Sequence, residues 1–139
     1  MTKKPKKKVV VLPCSGIGKT FGSVAREATY ELVDKLRPGV AVTTCLPLLV
    51  IEDPEAVRLV RENPVITIDG CPNDCARKSV EAAGGKSTQS LRAINFYKAH
   101  KDLKPEGISE LNEAGQKLAE VAAGELCPLI DDLAAQEDE

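Results

Sequence analysis

Apolar positions along this chain fall into short blocks set apart by proline, glycine and charged residues. Val9 to Leu12 is an unbroken apolar run of the length expected for a strand buried on both faces. After Gly16-Ile-Gly18, residues from about Gly22 to Leu36 place Val24, Ala25, Ala28, Leu32 and Leu36 on one face of a helix, which Arg37-Pro-Gly39 ends. Val40 to Leu46 reads as a second strand. Asp53-Pro54-Glu55 opens the next helix, with Asp as N-cap, Pro in the first turn and a carboxylate facing the positive end of the helix dipole. That helix stops at Asn63-Pro64, and Val65 to Ile68 is the third strand.

A third helix is expected from near Pro72 to Gly84-Gly85, where glycine can adopt the left-handed conformation favoured just past a helix end. Leu91 to Tyr97 reads as a fourth strand, and Ser109 to Ala123 and Cys127 to Ala135 as two closing helices. Strands alternating with helices point to an α/β fold: a single three-layer domain over residues 1–139, with a mostly parallel four-stranded sheet and right-handed crossovers. The 139 residues suffice to bury a core of that kind.

Composition changes this picture little. The formal charge of -2 calls for no nucleic-acid partner. The Lys3–Lys8 run carries no interleaved aromatic residues for base stacking and is offset by the acidic 136–139 end, so it reads as a solvated tail. No apolar run approaches the length of a membrane span, and four apolar residues before Pro13 are too few for the core of a signal peptide. A cytoplasmic location is the expectation. Five cysteines in a reducing compartment then argue against a disulfide framework and leave metal binding, thiol chemistry or simple burial.

The positions of the cysteines separate these options. Cys14 follows strand one, Cys45 closes strand two and Cys71 follows strand three, so all three belong to the carboxyl edge of a parallel sheet. Neighbouring strands lie about 4.8 Å apart, close enough for their end loops to converge. With Cys71 near the start of the third helix, Cys75 sits one turn further on the same side. Such a pair suits chelation better than a disulfide within a helical turn. Each cysteine alone would more often be a small buried hydrophobe; four on one predicted edge favour a metal. Four thiolates select zinc, held at about 2.3 Å, or an iron-sulfur cluster. Cys127, followed by Pro128, matches no ligand pair and reads as packed.

A second motif shares the first loop. Pro13-Cys-Ser-Gly-Ile-Gly-Lys19-Thr20 departs from the phosphate-loop pattern only at its first position, where proline replaces the glycine that lets backbone amides approach phosphate. This leaves a nucleotide- or anion-binding enzyme as the alternative, with Gly16, Gly18 and Lys19 as an anion nest and Asp69 as base. Ser15 and Asp69 are otherwise candidates to support the metal site, and Asp69 before Gly70 also fits a turn. The sole histidine, His100, reads as a surface residue. The partner implied is another protein or a small anionic ligand; no oligomeric state follows.

Cys14-Ser-Gly-Ile-Gly-Lys19, the Gly22-Ser-Val-Ala-Arg-Glu27 helix start, the single Cys45, and Asp69-Gly-Cys71 followed by Cys75-Ala-Arg resemble the DGC-domain family of small prokaryotic proteins, described as zinc-binding. The resemblance runs from about Val9 to Gly85. It implies Cys14, Cys45, Cys71 and Cys75 as the family's four cysteines, leaves Cys127 outside, and names a site without naming a reaction.

Overall fold

The computed structural model describes residues 8–14, 19–70, 72–108 and 110–135. The basic stretch through Lys7, the loop residues Ser15, Gly16 and Gly18, Cys71, Ser109 and the 136–139 end lie outside the described residues. Four strands, β1 (Val9–Pro13), β2 (Ala41–Val42), β3 (Val65–Asp69) and β4 (Ser87–Arg92), form one sheet in the order β2-β1-β3-β4. Every pairing is parallel: Val9 faces Ala41, Val10 faces Val65, and Asp69 faces Arg92. The α/β expectation holds, with the sheet wholly parallel.

Among the described residues, seven helical segments flank it. On one side lie α1 (Thr20–Glu31), continued by a π-helical turn through Leu36, with α5 (Ala93–Ala99) and α6 (Glu113–Ala135). On the other lie α2 (Leu46–Val50), α3 (Pro54–Glu62) and α4 (Cys75–Ala82). The pleat of β1 explains its unbroken apolar sequence: Val9 and Val11 enter the core under α1 and α6, whereas Val10 and Leu12 enter the one under α2, α3 and α4. All four are fully buried. Among the described residues, no helix is long and apolar enough to cross a membrane.

Helix α3 forms where its sequence places it. The Asp53 carboxylate accepts from the Ala56 amide at 3.1 Å, Pro54 occupies the first turn, and the helix ends at Glu62 before Asn63-Pro64. Gly84, at φ +86°, takes the left-handed position beyond α4.

Four expectations are corrected. The second strand keeps only Ala41–Val42, and Leu46 instead opens α2 with Pro47 in its first turn. The third helix begins at Cys75 rather than near Pro72, because Asp74 takes a left-handed φ of +51° that a helix cannot continue through. The fourth strand is Ser87–Arg92, and Ala93–Ala99, which covers most of the expected strand, is helix. β4 is a largely exposed edge strand, so its alternation carries little apolar signal.

The two closing helices are one. Asn112 Oδ1 accepts from the Gly115 amide at 2.8 Å and caps α6, which then runs through Pro128. Buried Leu118, Ala122, Leu126, Ile130 and Leu133 keep one stripe on both sides of the proline, and Pro128 itself is exposed. Packing of that stripe offsets the missing amide. Pro128→Ala should therefore restore the hydrogen bond to Gly124 and raise stability by about 2 kcal/mol, the interior-proline penalty less the unfolded-state entropy proline removes; a urea midpoint unchanged or lowered would contradict a continuous α6.

Candidate metal centre

The strand order places β1 between β2, reached through α1, and β3, reached through α3 on the opposite face. The carboxyl ends of β1 and β3 thus flank the point where the connections diverge, the usual ligand crevice of an open parallel sheet. Cys14 emerges there. Its amide donates to the Ile68 carbonyl at 3.0 Å, extending the β1–β3 ladder by one residue. Its Sγ accepts from the Gly70 amide at 3.3 Å, so the first thiol is tied to the residue immediately before Cys71.

Gly70 allows this closure because it has no side chain. A Cβ there would lie 2.6 Å from Gly22 Cα and against the Gly22 nitrogen, both backbone atoms of the first turn of α1. The turn after β3 therefore rests directly on the helix that follows Cys14, and a methyl group could enter only by separating them.

Beyond Gly70, two carboxylates fix the start of α4. Asp69 is buried, and its oxygens accept from the Ala76 amide at 2.8 Å and the Arg77 amide at 3.3 Å. These are orphan donors of the first helical turn, so Asp69 caps α4 from the strand that precedes it. Burial pushes its carboxyl above the ordinary range, and the two amides work against that rise. Both oxygens are engaged by these amides. Folding thus becomes less favourable as pH rises through the range in which Asp69 ionises.

Asp74 has the opposite environment. Arg92 grips it in a fork, Nε to Oδ1 at 3.0 Å and Nη2 to Oδ2 at 2.8 Å, while Arg77 Nη2 approaches Oδ2 at 3.3 Å. Arg92 first, then Arg77, hold its carboxyl down at about 2 against the effect of burial. Because Arg92 ends β4, the fork anchors the left-handed residue before Cys75 to the edge of the sheet. Neither Asp74 nor Arg92 is distinguished by sequence pattern; an Asp ahead of a helix signals a cap, yet this side chain makes no cap bond.

The thiols divide accordingly. Cys14 is half-buried, Cys45 is exposed at the N-cap of α2, and Cys75 is exposed as the first residue of α4. Cys14 and Cys45 line one cavity of about 450 Å³, whose lining does not include Cys75. Helix α2 packs on α4, which links the elements carrying Cys45 and Cys75. The expected helical register of Cys71 with Cys75 does not hold, since α4 starts only at Cys75; the helix dipole acts on Cys75 instead. Among the described residues, no three His, Cys, Asp or Glu side chains are grouped closely enough to hold a metal ion. Cys71, between Gly70 and Pro72, lies outside the described residues.

The donor set nonetheless suits a soft or borderline cation. It offers thiols at one sheet edge, an amide donor on Cys14 and a helix N-terminus at Cys75. Lys19, at the N-cap of α1, is exposed; Ser15, Gly16 and Gly18 of the suggested anion nest lie outside the described residues. Cys127 is buried within α6, its thiol donating to the Ala123 carbonyl at 3.5 Å, as expected for a packed residue. His100 sits at the surface against Glu125.

The family model described as the DGC domain matches residues 10–116, a span that holds Cys14, Cys45, Cys71 and Cys75 and excludes Cys127. Comparison with curated proteins and with solved structures gives no match.

Two outcomes test this frame. Gly70→Ala should cost about 1–3 kcal/mol by forcing the β3 turn off α1, read as a lower urea midpoint. The stabilisation from Asp74, complete above its ordinary value of 3.8, should disappear as pH falls towards about 2. In chelator-treated protein, where metal competition for the thiols is absent, wild type should lose more stability than Asp74→Asn between those two pH values. Parallel losses would remove the fork from the account.

Proposed function

The chain belongs to the DGC-domain family, and from that premise we propose that it binds one zinc ion through Cys14, Cys45, Cys71 and Cys75. The observation that carries the proposal is the Gly70 amide on Cys14 Sγ at 3.3 Å, which joins the loop after β1 to the turn that leads into Cys71. Cys45, two strands away from that turn, lines the same cavity as Cys14. Cys75 begins the helix whose capping and anchoring hold it at the same end of the sheet.

In this reading the chain's residues have distinct tasks. The four thiolates hold the cation, and the Gly70 amide offsets part of the charge on Cys14. Asp69 orients α4, while the Asp74–Arg92 fork fixes the backbone before Cys75. Zinc, when bound, supplies a redox-inert dication that ties separate strand ends together. A site filled by four protein ligands serves structure, thiol protection or metal handling more readily than hydrolysis.

Elemental analysis of protein purified without oxygen tests the proposal. About one zinc per chain is expected. The Cys71→Ser, Cys75→Ser double variant should lose the metal together with the thermal stability that bound metal confers. Full zinc occupancy in that variant would reject the assignment, and a brown preparation with visible absorbance and iron would replace zinc by an iron-sulfur cluster.

A further inference from the structure

Val50, the last residue of α2, and Ile51 after it are the two most exposed large hydrophobic residues among those described, at 70% and 71%. Scattered exposed apolar side chains are common in monomers, but an adjacent pair on one tip makes a patch. The turn behind them is closed by hydrogen bonds: the Glu52 amide donates to the Leu49 carbonyl at 3.2 Å and the Asp53 amide to the Leu48 carbonyl at 2.9 Å. Glu52 takes a left-handed φ of +61° there, a position that glycine ordinarily fills. The pair is therefore held outward by a defined helix end.

Beside this tip, α2 and α3 enclose an open groove of about 420 Å³. Buried Ala56 and half-buried Leu48 and Leu59 give it apolar surface, and exposed Glu55 and Arg58, one turn apart on α3, border it. Asp53, two residues after Ile51, also lines it, so tip and groove adjoin. Among the described residues, neither Glu55 nor Arg58 enters an ion pair.

We propose that a second copy of this chain covers this surface, in a two-fold dimer in which the Val50–Ile51 tip of each copy enters the groove between α2 and α3 of the other. A knob and a groove that adjoin on one face are what a self-complementary two-fold contact requires. Charge supports the same occupant. With the two α3 helices antiparallel, position 55 of one copy meets position 58 of the other, so the contact holds two Glu55–Arg58 pairs and no like-charge pair at these positions. The same register carries Ile51 towards the far end of the other copy's groove, which Glu62 lines. The apolar tip supplies affinity, and the charged border selects the register. Glu52 and Asp53 beside the tip oppose its insertion into an anionic lipid surface. The proposal uses none of the cysteines and does not depend on the zinc reading.

Sedimentation equilibrium of the full chain, as purified and after chelation, tests the proposal. Reducing buffer keeps the exposed Cys45 and Cys75 from joining copies through a disulfide. A concentration-dependent equilibrium between monomer and dimer is expected. Ile51→Asp should weaken it at least about tenfold, with circular dichroism verifying that the variant is folded. Glu55→Arg and Arg58→Glu should each weaken self-association by setting like charges together. An equimolar mixture of those two variants should form a heterodimer with about the wild-type dissociation constant, because each Arg then meets a Glu. Recovery on mixing reports contact between copies, since a defect within one chain is not repaired by another. A chain that stays monomeric at every concentration, whether or not it binds phospholipid vesicles, would overturn the proposal. So would a dimer that folded Ile51→Asp leaves intact, or a mixture of the two charge variants that associates no better than either alone.

Discussion

The backbone contact between Gly70 and the first turn of α1 is the constraint on which the carboxyl edge of the sheet depends. With hydrogen in place of a side chain, the turn after β3 lies against Gly22 while its amide reaches Cys14 Sγ. One small residue thereby sets the distance between two loops that each carry a candidate ligand. A larger residue would push the turn outward, and neither the amide donor nor the approach to α1 could be kept without moving β3 or the helix.

Rigidity further along comes from two carboxylates used in different ways. Asp69 spends its capacity on helix amides and remains buried at a cost in ionisation. Asp74 is ionised easily because Arg92 and Arg77 surround it. Together they hold both sides of the segment containing Cys71: one through the start of α4, the other through the edge strand β4. This division explains how an exposed Cys75 can still be fixed in position, since its neighbours rather than its own side chain are anchored.

Cys14 and Cys45 reach one cavity by different routes: Cys14 directly follows β1, whereas Cys45 stands at the N-cap of α2, beyond the two-residue strand β2.

The amino-acid sequence by itself determined what local pattern can carry. Val9 to Leu12 and Val65 to Ile68 are strands because continuous apolar runs bounded by turns have few alternatives in a parallel sheet, and Asp53-Pro54 starts α3 through its own cap. The α/β class follows, and with it the placement of Cys14 just beyond the first strand; Cys45, read as part of the second strand, is the N-cap of α2. Tertiary structure decided the rest. The apolar residues of 93–97 suit a strand or a helix, and packing under the sheet selected helix; polar Ser87–Arg92 became a strand because β3 had a free edge to pair. Packing on both sides of Pro128 kept α6 whole. The Asp74–Arg92 fork and the cavity shared by Cys14 and Cys45 join residues 18 or more positions apart, or on separate elements, and no local periodicity encodes such meetings.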